Sequence, residues 1–387
     1  MRPFWKVVSL SAVVAGFVAV LVGFTSSIAI IFAAAQAVGA DTAQTASWIW
    51  ALGLGTGLTS LGLSLWTRQP VLTAWSTPGA ALIAASQGIT LPEAVGAFIV
   101  CAGLILLVSV TGWFEKLMGR IPMAIAAALL AGVLTRFALD ATLAAHSQPL
   151  LIVGMAAAFL AGRRWWPRYA VPGVLLAGVV LAAAQGLLHL GGISWGLAQP
   201  VWVTPQFTLH ALVGLGLPLF VVTMASQNLP GVAAQRAAGY QIPVSPTVGT
   251  TGLASLALAP FGGFAFNLAA ITAAICMGRE AHERPERRYT ASAAAGVFYI
   301  AVGLAGGAVA GLLGAFPKEL VIGIAGLALL GTIGGGLASA LQQERHRDAA
   351  LLTYVVTLSG LSIAGIGSAF WGVLAGGLAL LASQRRH

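Results

Sequence analysis

The sequence predicts an all-α polytopic membrane protein of 14 spans, arranged as a 7+7 inverted repeat with short extended segments and half-helices in spans 3 and 10. Three observations lead to this prediction. Hydrophobic residues make up 58% of the 387 positions and charged residues only 7%, whereas a soluble domain carries about 25% charged residues. The apolar residues form runs long enough to cross a bilayer. Two of these runs are interrupted by proline and glycine at similar places.

Polar breaks divide the chain into its predicted spans. These lie near residues 8 to 37, 46 to 66, 70 to 87, 93 to 114, 121 to 141, 148 to 162, 170 to 188, 207 to 230, 244 to 259, 261 to 278, 289 to 313, 318 to 341, 349 to 365 and 368 to 384. The first run is longer than the about 7 to 15 apolar residues of a signal peptide, so we expect it to be retained. An odd number of spans in each half inverts the second half in the membrane. Residues 1–387 therefore form one membrane unit.

Basic residues predict the orientation of the chain. The net charge is +9, and all but Arg136 and Lys318 of the 19 Lys and Arg residues lie on one side if the spans alternate. By the positive-inside rule, the N- and C-termini are predicted to be cytoplasmic in a cell inner (plasma) membrane. Because the basic residues are scattered between apolar runs, the expected partner is the lipid bilayer and not a nucleic acid.

Spans 3 and 10 are interrupted in the same manner. Residues 70–80 (PVLTAWSTPGA) and 260–270 (PFGGFAFNLAA) each place a proline and a short extended segment before a small-residue helix. Thr77 and Asn267 are the predicted N-caps, with Pro78 in the first helical position. A helix N-terminus offers unpaired N–H groups and about half a positive charge. Two such termini facing each other at the bilayer midplane predict an anion site, and simple Pro/Gly kinks are the alternative.

Spans 1 and 8 each carry a polar run. Residues 25–27 are Thr-Ser-Ser and residues 226–228 are Ser-Gln-Asn. Ser27 and Ser226, and likewise the later Gln36 and Gln235, share an offset of 199 residues. A serine or threonine in a membrane helix often bonds to its own backbone. Two adjacent amides need partners within the bundle, which favours a binding or gating role over simple interhelix contacts.

Aromatic residues close to these polar positions are suited to lining a site for a flat, apolar molecule. Each of them is individually more typical of helix packing, and only Trp75 and Phe266 are directly beside the predicted caps. The candidate substrate-binding residues are Ser27, Trp75, Ser76, Thr77, Ser226, Gln227, Asn228, Phe266 and Asn267, with Phe24, Thr25, Ser26, Phe220 and Phe264 as secondary candidates.

Several classes of function are disfavoured. All ten acidic residues lie in loops or at span ends, whereas a cation carrier usually has a carboxylate within the membrane. Cys101 and Cys276 have no companion ligands, so neither a metal nor another cofactor is expected. Residues 192–196 match the GxSxG pattern of a hydrolase nucleophile, but they lie in a loop without a strand–turn–helix setting. An intramembrane enzyme is therefore only a remote alternative.

These motifs resemble the BenE-type benzoate/proton symporters, within the fold group of the uracil/xanthine permeases and SulP anion transporters. The resemblance rests on residues 73–80 (TAWSTPGA), 226–231 (SQNLPG) and 260–267 (PFGGFAFN). It implies a core domain of about residues 1–118 and 205–315 and a gate domain of about residues 119–204 and 316–387. It also implies import of benzoate, or a similar aromatic carboxylate, with a proton by alternating access.

The chain departs from the uracil-type relatives, which carry acids in spans 8 and 10. Gln227, Asn228 and Asn267 stand there instead, which suits a carboxylate substrate and leaves the proton carrier open. Benzoic acid titrates near the glutamate range, at about 4.3, so the substrate itself is a candidate carrier. A nucleobase or inorganic-anion transporter of the same fold is the alternative function. Small residues in spans 5 and 12, Gly132 and Gly331, are predicted to let the two domains slide, and a homodimer is left open.

Overall fold

The described part of the chain folds mostly into helices. The computed structural model describes residues 8–25, 27–86, 88–119, 121–167, 170–188, 197–305, 316–361, 363 and 368–384. Its helices are α1 (Leu10–Thr25), α2 (Ile28–Ala37), α3 (Thr42–Thr67), α4 (Thr77–Ala85), α5 (Leu91–Thr111), α6 (Trp113–Gly119), α7 (Met123–Leu143), α8 (Pro149–Trp165), α9 (Ala170–Ala184), α10 (Leu209–Ala237), α11 (Val244–Leu258), α12 (Ile271–Met277), α13 (Tyr289–Ala305), α14 (Lys318–Leu341), α15 (Arg347–Leu358) and α16 (Ser368–Gln384). Two short strands, β1 (Thr73–Ala74) and β2 (Asn267–Leu268), accompany them. Single 3₁₀ turns cover Ala144–His146, Ala259–Phe261, Pro285–Arg287 and Glu344–His346.

Five helices in the described part are long and apolar enough to cross a membrane. They are Thr42–Thr67, Leu91–Thr111, Met123–His146, Leu209–Ala237 and Lys318–Leu341. Leu10–Phe24, Gly173–Ala184 and Phe370–Ala382 are shorter apolar helices. The chain is therefore a multi-pass membrane protein, while the total of 14 spans stays a prediction.

The first predicted span, residues 8 to 37, is not one continuous helix. It is divided into α1 and α2, and Ser27 lies between them with non-helical backbone angles (φ −127°, ψ −10°). The Ser27 hydroxyl donates to the carbonyl of Gly23 at 2.7 Å. Local hydrogen bonds of this kind compete with regular helical bonding. The first predicted span therefore comprises two helices.

Small residues allow close helix packing where the main helices cross. A Cβ placed on Gly53 of α3 would lie 2.7 Å from the Cα of Gly303 in α13. Membrane helices associate through such close contacts, because lipid supplies little hydrophobic drive between them.

Gly132 makes a close contact of another kind. A Cβ at this position of α7 would lie 2.9 Å from both the Cβ of Thr357 and the carbonyl oxygen of Tyr354 in α15. Both neighbours belong to the set of spans that was predicted to form the gate, so Gly132 packs α7 against another helix of the same set. The predicted role of Gly132 in the sliding of the two domains stays a prediction.

Candidate substrate site

The two interrupted spans meet through their extended segments. β1 pairs antiparallel with β2, with Thr73 opposite Leu268 and Ala74 opposite Asn267. The helices α4 and α12 each begin three residues after the strand that precedes them. Equivalent positions in the two interruptions are therefore 194 residues apart, and Thr73 corresponds to Asn267. The comparison of residues 70–80 with residues 260–270 places Thr77 opposite Asn267, an offset of 190 residues. This predicted correspondence is wrong by four residues.

The N-terminus of α4 is capped one residue earlier than predicted. The Ser76 hydroxyl accepts the N–H of Gly79 at 3.1 Å, while Thr77 is the first helical residue and Pro78 the second. Ser76 has extended backbone angles (φ −78°, ψ 100°), which place its hydroxyl over the first turn. The predicted capped terminus therefore exists in span 3, with Ser76 and not Thr77 as the cap.

Asn267 does not cap the helix of span 10. It lies within β2, and the N-cap of the seven-residue helix α12 is Ala270, which makes no side-chain capping bond. The Asn267 side chain is fully buried and donates through Nδ2 to the carbonyl of Ala265 at 3.0 Å. Among the described residues, its Oδ1 atom has no hydrogen-bond partner. The pairing of Asn267 with β1 fixes it in an extended conformation, so the helix starts later.

Trp75 joins spans 1 and 3. Its indole Nε1 donates to the hydroxyl of Ser27 at 3.0 Å, and that hydroxyl donates in turn to Gly23. The Phe24 ring meets the indole edge-on, with a centroid distance of 6.3 Å, and the Tyr299 ring of α13 does so at 5.8 Å. These contacts hold Trp75 against the break between α1 and α2.

Helix α10 contains two π-helical turns. They span Leu212–Gly216 and Met224–Asn228. Pro218 and Pro230 each follow two residues after one of these turns. Proline supplies no N–H and its ring opposes regular helical backbone in the preceding turn, which explains the widened geometry. Such π turns are frequent at functional sites.

The second π turn carries the predicted amides. Asn228 is fully buried, accepts the N–H of Leu268 through Oδ1 at 3.0 Å and lies 3.2 Å from the sulfur of Met224. Ser226 and Gln227 are half-buried. Because Leu268 belongs to β2, this turn of span 8 is attached to the strand pair on which the Trp75 segment also lies. The structure thus brings Ser27 of span 1, through Trp75, and Asn228 of span 8 to the same strand pair.

Helices α2 and α10 end in the same way. Gly39 (φ +82°) donates to the carbonyl of Gln36 at 3.0 Å, and Gly239 (φ +87°) donates to that of Arg236 at 2.9 Å. The left-handed conformation at both positions favours glycine. Matched positions at these helix ends are therefore 200 residues apart, so Gln36 corresponds to Arg236. The predicted match of Gln36 with Gln235 is wrong by one residue.

The two interruptions differ at the position occupied by Trp75. Ser27 and Gln227 each lie twelve residues before the matched glycines. Ser27 receives the indole N–H of Trp75, whereas the residue equivalent to Trp75 at the offset of 194 is Ala269. In the described part of the chain, the Gln227 side chain has no hydrogen-bond partner. A methyl group therefore replaces an indole beside the second interruption, and one amide stays available.

Two candidate aromatic residues lie within packed clusters. Phe264 contacts Trp48 and Phe98, with centroid distances of 5.6 and 5.3 Å. The Phe266 ring lies against Gly55 of α3, and its backbone N–H donates to Ser255. Both phenylalanines are fully buried, so their predicted role as walls of a substrate site stays a prediction.

The remaining candidates are distributed as follows. Phe220 of α10 and Thr77 are half-buried. Ser26 and the side chain of Thr25 lie outside the described residues, as does the GxSxG pattern at residues 192–196. No group of His, Cys, Asp and Glu side chains in the described ranges is arranged to hold a metal ion.

Sequence reasoning missed Tyr299 and a hydroxyl network below β1. The Thr73 hydroxyl lies 2.7 Å from that of Thr59 and 2.8 Å from that of Ser60, and it donates to the carbonyl of Thr56 at 3.0 Å. These three residues of α3 recur at helical spacing in an otherwise apolar span, which is the signal that indicates a buried partner. Tyr299 has no comparable signal, because a tyrosine in a membrane span is also typical of packing.

Apolar helices able to cross a bilayer, together with two interrupted spans that meet at a short strand pair, define a multi-pass membrane transport protein. The BenE family, described as benzoate membrane transport protein, matches residues 6–381. The chain belongs to this family.

Two curated relatives cover nearly the whole chain. The chain is 49% identical over 379 residues to the inner membrane protein YdcO of Escherichia coli (strain K12), and the match covers 96% of this chain and 97% of YdcO. It is 41% identical over 372 residues to the benzoate membrane transport protein of Acinetobacter baylyi, with coverage of 96% and 94%. The transmembrane domain of the cyanobacterial bicarbonate transporter BicA matches with 13% identity, coverage of 97% and 96%, and a TM-score of 0.47. The family is one of transporters, and the chain is not an enzyme.

Proposed function

We propose that this protein imports benzoate, or a similar aromatic carboxylate, together with a proton by alternating access across the inner membrane. Membership of the BenE family supports the substrate class, and so does the 41% identity to the benzoate membrane transport protein of Acinetobacter baylyi. The name of the relative YdcO supports the inner membrane.

The difference between Trp75 and Ala269 is the observation that carries the proposal. At the first interruption the indole occupies the space beside Ser27 and satisfies its hydroxyl. At the second, we propose that the small side chain of Ala269 leaves room for a ligand beside Gln227, whose amide is half-buried. An aromatic ring in that room would take the place that the indole has in the first interruption, and its carboxylate would accept from the Gln227 amide. Hydrogen bonds to a charged acceptor are roughly twice as strong as neutral ones.

The local matches between the two interruptions support the inverted 7+7 repeat as part of the proposal. Substrate would bind in the core domain, about residues 1–118 and 205–315, and the gate domain, about residues 119–204 and 316–387, would close over it. In this arrangement both termini face the cytoplasm, and a homodimer is the proposed assembly. Labelling of Arg2→Cys and Arg386→Cys from each side of the membrane tests the orientation, and the mass of the purified protein tests the assembly.

The proton is proposed to travel on the substrate. The candidate site residues include no carboxylate or histidine, and a buried acid would repel a carboxylate substrate. Protonation removes the charge of benzoate, whose desolvation in the closed state would otherwise be costly. The coupled proton then needs no titrating side chain in the site.

Purified protein in proteoliposomes tests the proposal. We expect uptake of labelled benzoate together with alkalinisation of the external medium, and no uptake of the neutral isostere benzamide. Gln227→Glu should abolish uptake by charge repulsion, whereas Gln227→Asn should retain part of it. Uptake without proton movement would rule out symport. Thermal stabilisation by uracil, xanthine or sulfate, and not by benzoate, would favour the alternative substrates.

A further inference from the structure

A cavity of about 840 Å³ lies away from the strand pair. It opens between the C-terminal end of α12 with the loop that follows and the helices α7 and α14. Its volume falls within the usual range for ligand pockets, roughly 300–1,000 Å³. Arg163 and Arg279 are among its lining residues, on the face of the protein that is predicted to be cytoplasmic.

The charged groups of this cavity are not paired with one another. Arg163, Arg279 and Arg288 line it together with Glu280 and Glu283. In the described ranges, none of these arginines forms an ion pair with either glutamate, because the one ion pair found there joins Arg347 to Glu344. Arginine guanidinium groups that face a cavity without a carboxylate partner are suited to binding an anion.

Arg288 differs from the other two arginines in having a structural role. It is nearly buried, and it donates through Nη1 to the carbonyl of Met277 and through Nε to that of His282, both at 2.8 Å. The Met277 carbonyl is at the C-terminal end of α12, where a cation stabilises the helix. Arg163 and Arg279 are exposed and have no such bonds in the described part; the Arg163 guanidinium lies over the Phe159 ring, 5.5 Å from its centroid, which leaves its N–H groups free of a carboxylate. They are therefore the two groups available to a ligand.

Apart from the three arginines and the two glutamates, the wall of the cavity is mainly apolar. Leu130, Ala237, Met277 and Gly335 line it beside the arginines. A small inorganic anion would use the arginines and leave this wall in water. A carboxylate attached to an aromatic ring would contact both, because the ring covers apolar surface while the carboxylate faces the guanidinium groups.

We propose that this cavity is a second binding site for an aromatic carboxylate, in which Arg163 and Arg279 receive the carboxylate group. The inference rests on the proposed function for the identity of the ligand and on the cavity for its place. In this proposal, the cavity is a site that substrate occupies on its way between the strand pair and the predicted cytoplasmic side. Raised local anion concentration at this opening would speed the exchange of substrate at that face.

Site-directed thiol labelling of the full-length protein tests the site without requiring transport. A Cβ at Gly335 would meet nothing within 4 Å, so Gly335→Cys is expected to fold, and both native cysteines are buried. Benzoate should slow labelling of the Gly335→Cys thiol by about threefold at twice its dissociation constant. Benzamide, which lacks the charge, and inorganic phosphate, which lacks the ring, should not. Ala238→Cys, at another position of the lining, is the second reporter.

The chain offers a matched control for the arginines. The Arg163→Gln/Arg279→Gln pair removes two cavity charges, and Arg164→Gln/Arg284→Gln removes two charges from neighbouring positions that do not line the cavity. We expect the first pair to eliminate protection by benzoate and the second pair to preserve it. If benzoate fails to protect the thiol in both pairs of variants, only the general surface potential matters. If benzoate protects the thiol in both pairs, the protection is a remote conformational effect. Either outcome overturns the proposal.

Transport measured on the same variants separates this inference from the proposed function. If wild-type proteoliposomes take up benzoate but the Gly335→Cys and Ala238→Cys thiols are not protected, the second site is wrong and the transporter assignment stands. If the thiols are protected through Arg163 and Arg279 but no benzoate is taken up, the site stands and the proposed transport is wrong. Equal protection by inorganic phosphate would contradict the aromatic ligand.

Discussion

Ser76 and Thr77 are adjacent hydroxyl residues with different contacts. Only Ser76 accepts a backbone N–H of the first turn of α4. Ser76→Ala should therefore lower the free energy of unfolding by about 0.5–2 kcal/mol, the usual cost of losing an N-cap. Thr77→Ala, the matched control, should change it little. Thermal unfolding of the two purified variants measures the difference, and an equal loss in both would contradict the assignment of the cap.

The hydrogen bond between Trp75 and Ser27 predicts a non-additive pair of substitutions. Trp75→Phe removes the indole N–H and Ser27→Ala removes its acceptor. Each change should weaken benzoate binding, because the ring loses the bond that orients it beside the site. The double variant should bind no more weakly than Trp75→Phe alone, since residues in one hydrogen bond do not act independently. Calorimetric titration of the three variants with benzoate checks this. Additive losses of binding free energy would show that Trp75 and Ser27 act independently.

Asn228 allows its structural role to be separated from its electrostatic role. Its Oδ1 atom accepts the buried N–H of Leu268. Asn228→Ala should lower the free energy of unfolding by about 1–3 kcal/mol, because that N–H loses its partner. Asn228→Asp retains an acceptor and should keep more of this stability, but its negative charge should weaken benzoate binding. Stable Asn228→Asp protein with unchanged benzoate affinity would place the ligand away from this turn.

Residue types near the site could be predicted from the sequence more readily than residue roles. The polar residues of spans 1, 3, 8 and 10 stand out against apolar surroundings, and the structure brings Ser27 to Trp75 and Asn228 to β2. The cap at Ser76 depends on where the pairing of β1 and β2 ends the extended segment. That pairing joins positions almost 200 residues apart, so a local pattern does not determine it.

At the scale of elements, proline and glycine predicted which spans are interrupted but not every interruption. Spans 3 and 10 contain these residues, and each forms a strand followed by a short helix. The break between α1 and α2 has neither proline nor glycine at residues 25–27. It lies where the Ser27 hydroxyl bonds to Gly23 and Trp75, so a tertiary contact supports it. The sequence gives no local signal for a contact of this type.

Two glycines of helix α14 provide a test of the predicted gate domain. A Cβ on Gly331 would lie 2.9 Å from Oε1 of Glu280, in the loop after α12, whereas one on Gly334 would meet nothing within 4 Å. Gly331→Leu should therefore obstruct movement between these elements and slow transport, with equilibrium benzoate binding at the strand pair nearly kept; Gly331 also lines the cavity, so binding there is measured separately. Gly334→Leu is the control and should transport at the wild-type rate. Comparable slowing by both variants would show that bulk anywhere on α14 is harmful.

At the scale of the whole molecule, the candidate site and the cavity lie in different parts of the helix bundle. The strand pair is surrounded by buried side chains such as Trp75, Asn228 and Asn267, while the cavity is open beside α14. A ligand held at the strand pair can reach opposite sides of the membrane only if one set of helices moves relative to the other. The residues that bind substrate and those that control movement should then be separable.

The double variant Gln227→Ala/Gly331→Leu tests this separation. Gln227→Ala should weaken benzoate binding several-fold, because the carboxylate loses an amide donor, with a smaller effect on the rate at saturating substrate. Gly331→Leu should lower the saturated rate with little effect on binding at the strand pair. Since the two residues act on different steps, the double variant should combine the weaker affinity of one with the slower rate of the other, as expected for independent sites. Benzoate affinity and the saturated transport rate are measured on the wild type, the two single variants and the double variant. If Gly331→Leu loses as much binding affinity as Gln227→Ala does, the division into core and gate is wrong.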